Sequence, residues 1–309
     1  MKLLSIDLGG TEVKMGLADE EGHIHEKVSA SVSFDDYKTP ILTTVMKAAE
    51  SFLAKHPCTI HGIAVSACGQ IDPESGTVIG TNGKIPHYEG ESIKRRMEEA
   101  FGKETWVLND ANAAVLGECF AGRAKGLRDV ILITLGTGVG GGVVSGGRLL
   151  SGHRGIAGEL GHYTLRADGP ACPCGKHGCF EHYASTSALV ARCESASGRN
   201  RLNGKIIFQE AAAGNQVFLN ELSSWIRDIA EGLTGLIHIF NPEMVLIGGG
   251  VSVQEKLLIS PLRDSIIRQA MPRFSEGLQI ESALLGNDAG MTGAVCFWLD
   301  SHQEEPHDY

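Results

Sequence analysis

The stretch from Gly152 to Ser185, GHRGIAGELGHYTLRADGPACPCGKHGCFEHYAS, constrains the chain more than any other. It holds too many glycines and too few apolar side chains to order itself by burial, so something other than a hydrophobic core must fix it. Three cysteines in the pattern Cys172-x-Cys174-x4-Cys179, with His162 ten residues upstream, supply three thiolates and one imidazole. That is the full ligand set of a closed tetrahedral zinc site. His153, His177 and His182 compete for the fourth position, but His177 lies inside the CGKHGC hairpin, where it would strain a coordination shared with both flanking cysteines. His162 is the better ligand. A closed site leaves no position for water, so the metal is expected to pin the loop rather than to do chemistry. Glu159 and Glu181 flank the set without belonging to it. Paired carboxylates beside a rigid loop suit the vicinal hydroxyls of a sugar, and they also suit plain solvent.

In a reducing compartment clustered cysteines are likelier metal ligands than disulfides. The opening MKLLSIDLGGT has neither the long apolar run nor the small-residue cleavage site of a signal peptide, and no segment approaches about 18 consecutive apolar residues. A cytoplasmic protein with no membrane partner is expected. Cys58, Cys68, Cys119, Cys193 and Cys296 are scattered and read as small core residues. The formal charge, 27 minus 37 or -10, is spread along the chain, which argues against nucleic acid. At 309 residues the chain has room for about two domains, and 40 glycines with only 6% aromatic residues point to an aliphatic α/β core with many tight backbone positions.

Glycine turns recur along the chain. Lys2 to Leu8 is an apolar strand carrying Asp7, followed by Gly9-Gly10-Thr11 and the alternating Val13, Met15 and Leu17. Such a turn gathers a carboxylate, a hydroxyl and backbone N–H groups, a setting for phosphate and its magnesium, although a plain hairpin would read the same way. The strand 129–134 leads into a second turn, Gly136-Thr137-Gly138 within GTGVGGG, before the alternating segment 143–150. The strand Met244 to Ile247 leads into a third, Gly248-Gly249-Gly250, where a flat ligand could lie against backbone. The repeated unit of strand, glycine turn and strand suggests two related lobes. Trp106 to Leu108 is a strand that delivers Asn109-Asp110 to the head of a small-residue helix over 111–120. A carboxylate there is placed for chemistry, and equally for capping the helix. Further helices are read over 41–54, 92–101, 259–271 and 289–299, with a long amphipathic one over 218–240 stopped by Pro242. Strands are read over 60–67 and 278–283, a turn-rich surface run with Asn82 and His87 over 68–90, and a solvated tail over 301–309.

Together, DLGGT at 7–11, NDAN at 109–112, LGTGVGGG at 135–142, GHRGIAGELGH at 152–162 and CPCGKHGCFE at 172–181 resemble the ROK family of bacterial sugar kinases and sugar-responsive regulators, in the family order and over nearly the whole chain. The resemblance implies an α/β, two-lobed actin-like, ribonuclease H-like ATPase fold with a zinc-clamped loop. The smaller lobe would comprise 1–118 plus 290–309, and the larger one, with the zinc loop, 119–289. It implies that Asp7, Gly9, Gly10 and Thr11 lie near the phosphates of ATP and their Mg2+, that Gly136, Thr137 and Gly138 form a second phosphate turn, and that Gly248, Gly249 and Gly250 form the adenosine wall. Asp110 matches the family's catalytic base and Asn109 the residue that holds a sugar hydroxyl beside it. Glu159, His162 and Glu181 match the sugar pocket, with Asn82 a further sugar ligand, and His162 matches the zinc ligand alongside Cys172, Cys174 and Cys179.

The implied activity is an ATP-dependent hexose kinase that phosphorylates a 6-hydroxyl. Its substrate would be glucose or an N-acetylated hexosamine, either N-acetylmannosamine or N-acetylglucosamine. A homodimer or higher homo-oligomer follows from the family's habit. Ala67-Cys68-Gly69-Gln70 stands where many relatives carry a Pro-Gly pair, and TNGKIPHYEG at 81–90 replaces a run common in the family's glucokinases, so the sugar side departs from the glucose pattern. The alternative readings are a sugar-responsive regulator and a non-catalytic sugar sensor. A regulator would carry a helix-turn-helix ahead of a nucleotide strand that here begins at Lys2, and a sensor need not retain Asp7, Asp110 and both phosphate turns.

Overall fold

A computed structural model describes residues 1–56, 59–81, 83 and 85–302. Two compact units divide the chain: residues 1–126 with 146–157 and 287–309, and residues 127–145 with 158–286.

The first unit is built on a mixed sheet. β1 (Leu3–Leu8), apolar and almost wholly buried, pairs antiparallel with β2 (Glu12–Ala18). β2 pairs with β3 (Ile24–Ser31), whose side chains are nearly all exposed, so the alternation that would announce a strand is missing from its sequence. α1 (Ile41–Lys55) starts directly after Pro40 and buries Ile41, Leu42, Val45, Ala49 and Phe52 on one face. β4 (Gly62–Ala67) is buried throughout and runs parallel to β1. The run 68–90, read from sequence as a surface loop, instead contains a hairpin of β5 (Gln70–Asp72) and β6 (Thr77–Gly80), followed by the fully buried Tyr88. The hairpin is hard to read because DPESG fills its turn while its strands are only three and four residues long. α2 (Ile93–Phe101) is capped by Ser92, which accepts from Arg95 N, and ends at Gly102, whose left-handed φ of 59° suits glycine. β7 (Thr105–Asn109) lies parallel to β4, giving the order β3-β2-β1-β4-β7, and α3 (Asp110–Ala121) follows it without a loop.

The second unit repeats this plan. β8 (Val130–Leu135) and β9 (Val139–Ser145) form an antiparallel hairpin, and β9 begins within the glycine run, earlier than the alternating segment suggests, because Gly140 to Gly142 pair across the ladder. The two-residue β10 (Arg148–Leu149) follows in the chain. Short α4 (Glu181–Ala184) leads to α5 (Thr186–Ser197), α6 (Gly204–Ala212) and α7 (Gln216–Phe240). α7 buries Leu222, Trp225, Ile226, Ile229, Leu233 and Ile237 on a continuous stripe, each large apolar side chain contributing roughly 1.5–3 kcal/mol. It ends at Asn241, in the left-handed region at φ 46°, ahead of Pro242. β11 (Met244–Gly248) is parallel to β8, and after α8 (Ser260–Gln269) and α9 (Pro272–Ser275), β12 (Gln279–Ser282) is parallel to β11. The helix expected from residue 259 is entered through a π-helical turn, Glu255–Ile259. Both units thus carry an antiparallel hairpin followed by two parallel strands, in the orders β2-β1-β4-β7 and β9-β8-β11-β12.

The chain returns to the first unit with α10 (Ala289–Asp300), which crosses α3 at glycines. A Cβ on Gly117 or Gly293 would collide with the partner backbone, so the small-residue character of α3 is what lets the two helices meet. Cys119, Cys193 and Cys296 are core residues as expected, whereas Cys68 is only partly buried and Cys58 lies outside the described residues. Residues 303–309 of the expected tail also lie outside them.

Candidate functional site

In an open parallel sheet, ligands collect at the carboxyl ends of the strands, and in the first unit the chemistry-bearing residues stand there. The register sets Asp7 beside Ser66 and Ala67 beside Asn109. Ser66 Oγ donates to Asp7 Oδ1 at 2.8 Å, and Lys14 Nζ lies 3.5 Å from Oδ2. The following turn is held from outside. Gly9 N donates to Glu12 O at 3.0 Å, Val32 N to Thr11 O at 2.9 Å, and the Tyr37 hydroxyl to Gly10 O. Gly290, in the first turn of α10, packs against Asp7 Oδ1 and Ser66 Oγ with no room for a Cβ, so the positive end of α10 meets this carboxylate.

Asn109 is the cap of α3, and Asp110 Oδ1 shares the first of its N–H groups, accepting from Ala111 N at 2.9 Å. Asn109 Oδ1 accepts from Ala111 N at 3.0 Å and Asn112 N at 3.1 Å, while its Nδ2 donates to Gly69 O at 2.9 Å and to Asp110 Oδ1 at 3.0 Å. Asp110 is left exposed at the first helical position, where the helix dipole favours a negative charge. Asn82, named with these residues from the sequence, lies outside the described residues. Cys68 is a neighbour that sequence reasoning treated as core. Burial, then the charges of Asp110 and Asp7, push its thiol up to about 12, so it sits neutral within the field of both carboxylates. Its only signal in the sequence was the departure Ala-Cys-Gly-Gln.

In the second unit, Gly136 to Gly138 form the tight connection between β8 and β9, closed by Gly136 N to Gly138 O at 3.0 Å. Beside it opens a cavity of about 580 Å³, the size of a small-molecule site. Its apolar walls are Leu135, Val190, Leu202 and Val251, and its polar lining is Thr137, Thr186, Ser187, Asn203 and Lys205, with Gly136, Gly204 and Gly250 where the backbone is bare. Gly249 needs to be glycine twice over: its φ is +90°, and a Cβ would strike the backbone of Leu135. Of the glycines read from sequence, Gly136 and Gly250 line this cavity, whereas Val190, Leu202, Asn203 and Lys205 were missed. Val190 is on α5 and Lys205 in the first turn of α6, with Leu202 and the cap Asn203 just ahead of it, positions whose apolar and capping residues look like ordinary structure.

The cysteine loop brings its candidate ligands together. Ligand atoms of His162, Cys172, Cys174 and Cys179 all lie within 4.8 Å of one another. Cys172 Sγ is 3.6 Å from His162 Nδ1, and Cys174 Sγ is 3.5 Å from Cys179 Sγ. Four ligands at the usual Zn–S and Zn–N lengths around a tetrahedral ion are about 3.5–3.8 Å apart, so the set fits the metal. Without a cation, burial and the two neighbouring thiols push Cys179 up to about 12, so three close thiolates require a cation among them. His177 faces Gly169 O at 3.4 Å instead. The rest of the loop hangs on backbone bonds such as Cys172 N to Lys176 O at 2.7 Å, and on Arg166, which with Arg192 grips the buried Asp228 of α7. Trp225 Nε1 donates to Ala184 O and Ser185 O, both at 3.1 Å, and so fixes the far end. Glu159 is exposed one residue before the 3-10 turn Leu160–His162, and Glu181 opens α4 with its Oε2 accepting from Val139 N at 2.9 Å.

Two units of the same strand plan, each with a glycine turn after its first strand, define the actin-like ATPase fold. The profile of the ROK family matches residues 3–301, and the chain belongs to that family. A glucokinase from Thermotoga maritima is 32% identical over 96% of both sequences, and a beta-glucoside kinase from Listeria monocytogenes is 33% identical over the whole of both. Among solved structures, a ROK family glucokinase from Streptomyces griseus in complex with glucose and AMPPNP superposes with a TM-score of 0.82 at 31% identity, covering 96% of this chain and 99% of that one.

Proposed function

We propose that this chain is an ATP-dependent hexose kinase that transfers the γ-phosphoryl group to the 6-hydroxyl of glucose or an N-acetylated hexosamine. The observation that carries the reading is the pair at the end of β7: Asn109 caps α3 and holds Asp110 by a 3.0 Å hydrogen bond, leaving that carboxylate exposed at the head of the helix. End-to-end similarity to glucokinases and a beta-glucoside kinase supports the substrate class.

A hexose hydroxyl is too weak an acid to ionise beforehand. Asp110 accepts its proton as the new oxygen–phosphorus bond forms and the bond from the γ-phosphorus to the bridging oxygen breaks, with ADP departing. Asn109 orients that carboxylate. Gly136, Thr137 and Gly138, with Gly9, Gly10 and Thr11, offer backbone and hydroxyl groups to the phosphates, and the cavity beside Gly248, Gly249 and Gly250 takes the nucleoside. Asp7, fixed by Ser66, would hold Mg2+, which supplies charge neutralisation on the phosphates. His162, Cys172, Cys174 and Cys179 would hold a structural Zn2+, and Glu159, His162 and Glu181 would bind sugar hydroxyls. The protein would act in the cytoplasm as a homodimer or larger homo-oligomer, without nucleic acid; among the described residues no helix is long and apolar enough to cross a membrane.

A coupled assay of ADP release against glucose, mannose, N-acetylglucosamine, N-acetylmannosamine, fructose and a β-glucoside tests this reading. Stimulation by at least one hexose is expected. Silence with all of them, in protein that binds both sugar and nucleotide, would point to a sensor.

A further inference from the structure

We propose that Glu181 and Thr186 are positioning residues that couple the metal loop to the nucleotide phosphate turn, so that zinc and ATP tighten each other's binding. The inference rests on the reading above that the loop binds zinc and the glycine turn binds ATP.

Both ends of the loop close on the same short piece of β8–β9. On the His162 side, the buried Leu160 covers Gly141, where a Cβ would come within 2.5 Å of Leu160 Cγ, and Gly161 lies against Val139 O with no space for a side chain. On the Cys179 side, Glu181 is two residues beyond the ligand, and its Oε2 accepts the backbone N–H of Val139 at 2.9 Å. A Cβ at Gly138 would overlap that carboxylate oxygen, so the glycine leaves the seat that Glu181 fills. Five residues further on, Thr186 N donates to Gly136 O at 2.9 Å and Thr186 Oγ1 to Leu135 O at 3.1 Å. Three hydrogen bonds from the segment just past Cys179 therefore fix backbone groups on both sides of Thr137, and Thr186 also lines the nucleotide cavity.

A ligand set with both flanks stitched to one turn has a consequence by linkage. Metal binding orders Cys179 and hence Glu181 and Thr186; a turn already ordered binds phosphate without the cost of ordering it; and nucleotide must then tighten zinc by the same factor. The remaining Glu181 oxygen is left for a sugar hydroxyl, so this role does not exclude the other.

The test is equilibrium binding without sugar. AMPPNP with magnesium is titrated calorimetrically into zinc-loaded and chelator-treated protein, and zinc affinity is measured by chelator competition with and without AMPPNP. A roughly tenfold change is expected in both directions, about 1.4 kcal/mol. Glu181→Leu, which removes the acceptor, should still bind one zinc but lose most of the linkage. Glu181→Gln keeps an acceptor for Val139 N and should retain it, and Thr186→Val should weaken it partly. Zinc and AMPPNP both binding with affinities unlinked within twofold would overturn the proposal alone. Absence of zinc uptake or of nucleotide binding would overturn it together with the reading beneath it. If Glu181→Leu weakens only sugar, the residue belongs to the sugar site and the coupling role fails.

Discussion

Replacing Asp110 by Asn isolates the proton-accepting role from everything else the residue does. Asn109 supplies both capping bonds to α3, at 3.0 and 3.1 Å, so the helix keeps its cap in the variant. What the fold loses is one carboxylate in the first turn, worth about 0.3–1 kcal/mol at an exposed position. For a protein of this size that corresponds to a fall in Tm of no more than about 4 °C. What catalysis loses is a general base, roughly 10²- to 10⁴-fold in kcat, or about 3 to 5 kcal/mol at 1.36 kcal/mol per decade. The amide still offers an oxygen, so sugar affinity by calorimetry should stay within about threefold. The measurements are the coupled ADP assay, a sugar titration and a thermal melt on the same preparation. Turnover within tenfold of the parent protein would remove Asp110 as the base, and a collapse of sugar binding would make it a binding residue instead.

Three further outcomes follow from the same geometry. Protein purified without chelator should contain about one zinc per chain by elemental analysis, and Cys172→Ser should lose it; metal-free parent protein of unchanged Tm would defeat the clamp. In chelator-treated protein, iodoacetamide at neutral pH should label the exposed Cys174 first, because the Lys176 backbone N–H lowers its pKa and so raises its thiolate fraction, whereas Cys68, at about 12, should stay unlabelled below roughly pH 10. Added zinc should protect Cys174, and labelling of Cys68 ahead of it would contradict the account of both environments. Asp228→Ala should cost about 1–3 kcal/mol in chemical denaturation, between exposed and fully buried ion pairs, since Asp228 is buried while Arg166 and Arg192 reach solvent; a neutral result would show that the two arginines do not anchor the loop to α7.

Residues whose chemistry is local were legible in the sequence. Asp7 with its glycine turn, Asn109-Asp110 after a strand, and the cysteine spacing each announce themselves within a few positions. β3 was not legible, because a strand with one edge in solvent and exposed side chains on both faces has no hydrophobic period. The β5–β6 hairpin was hidden by its turn residues, and Tyr88 by lying in a run that looks polar. Side-chain groupings that depend on packing were also beyond reach: Glu181 on Val139 N, Thr186 on the β8–β9 turn, and Leu202 and Asn203 at the cavity beside that turn are set by which helix ends converge there. The strand end carrying Asp110 suggested an aspartate cap, and the fold gives the cap to Asn109, with Asp110 exposed at the first helical position.

Passage of a phosphoryl group from ATP to a sugar hydroxyl is tested most directly by phosphorus NMR of a reaction containing the best hexose of the panel, ATP and magnesium. One hexose 6-phosphate formed for each ADP is the predicted result; ADP with inorganic phosphate and no sugar phosphate would contradict it.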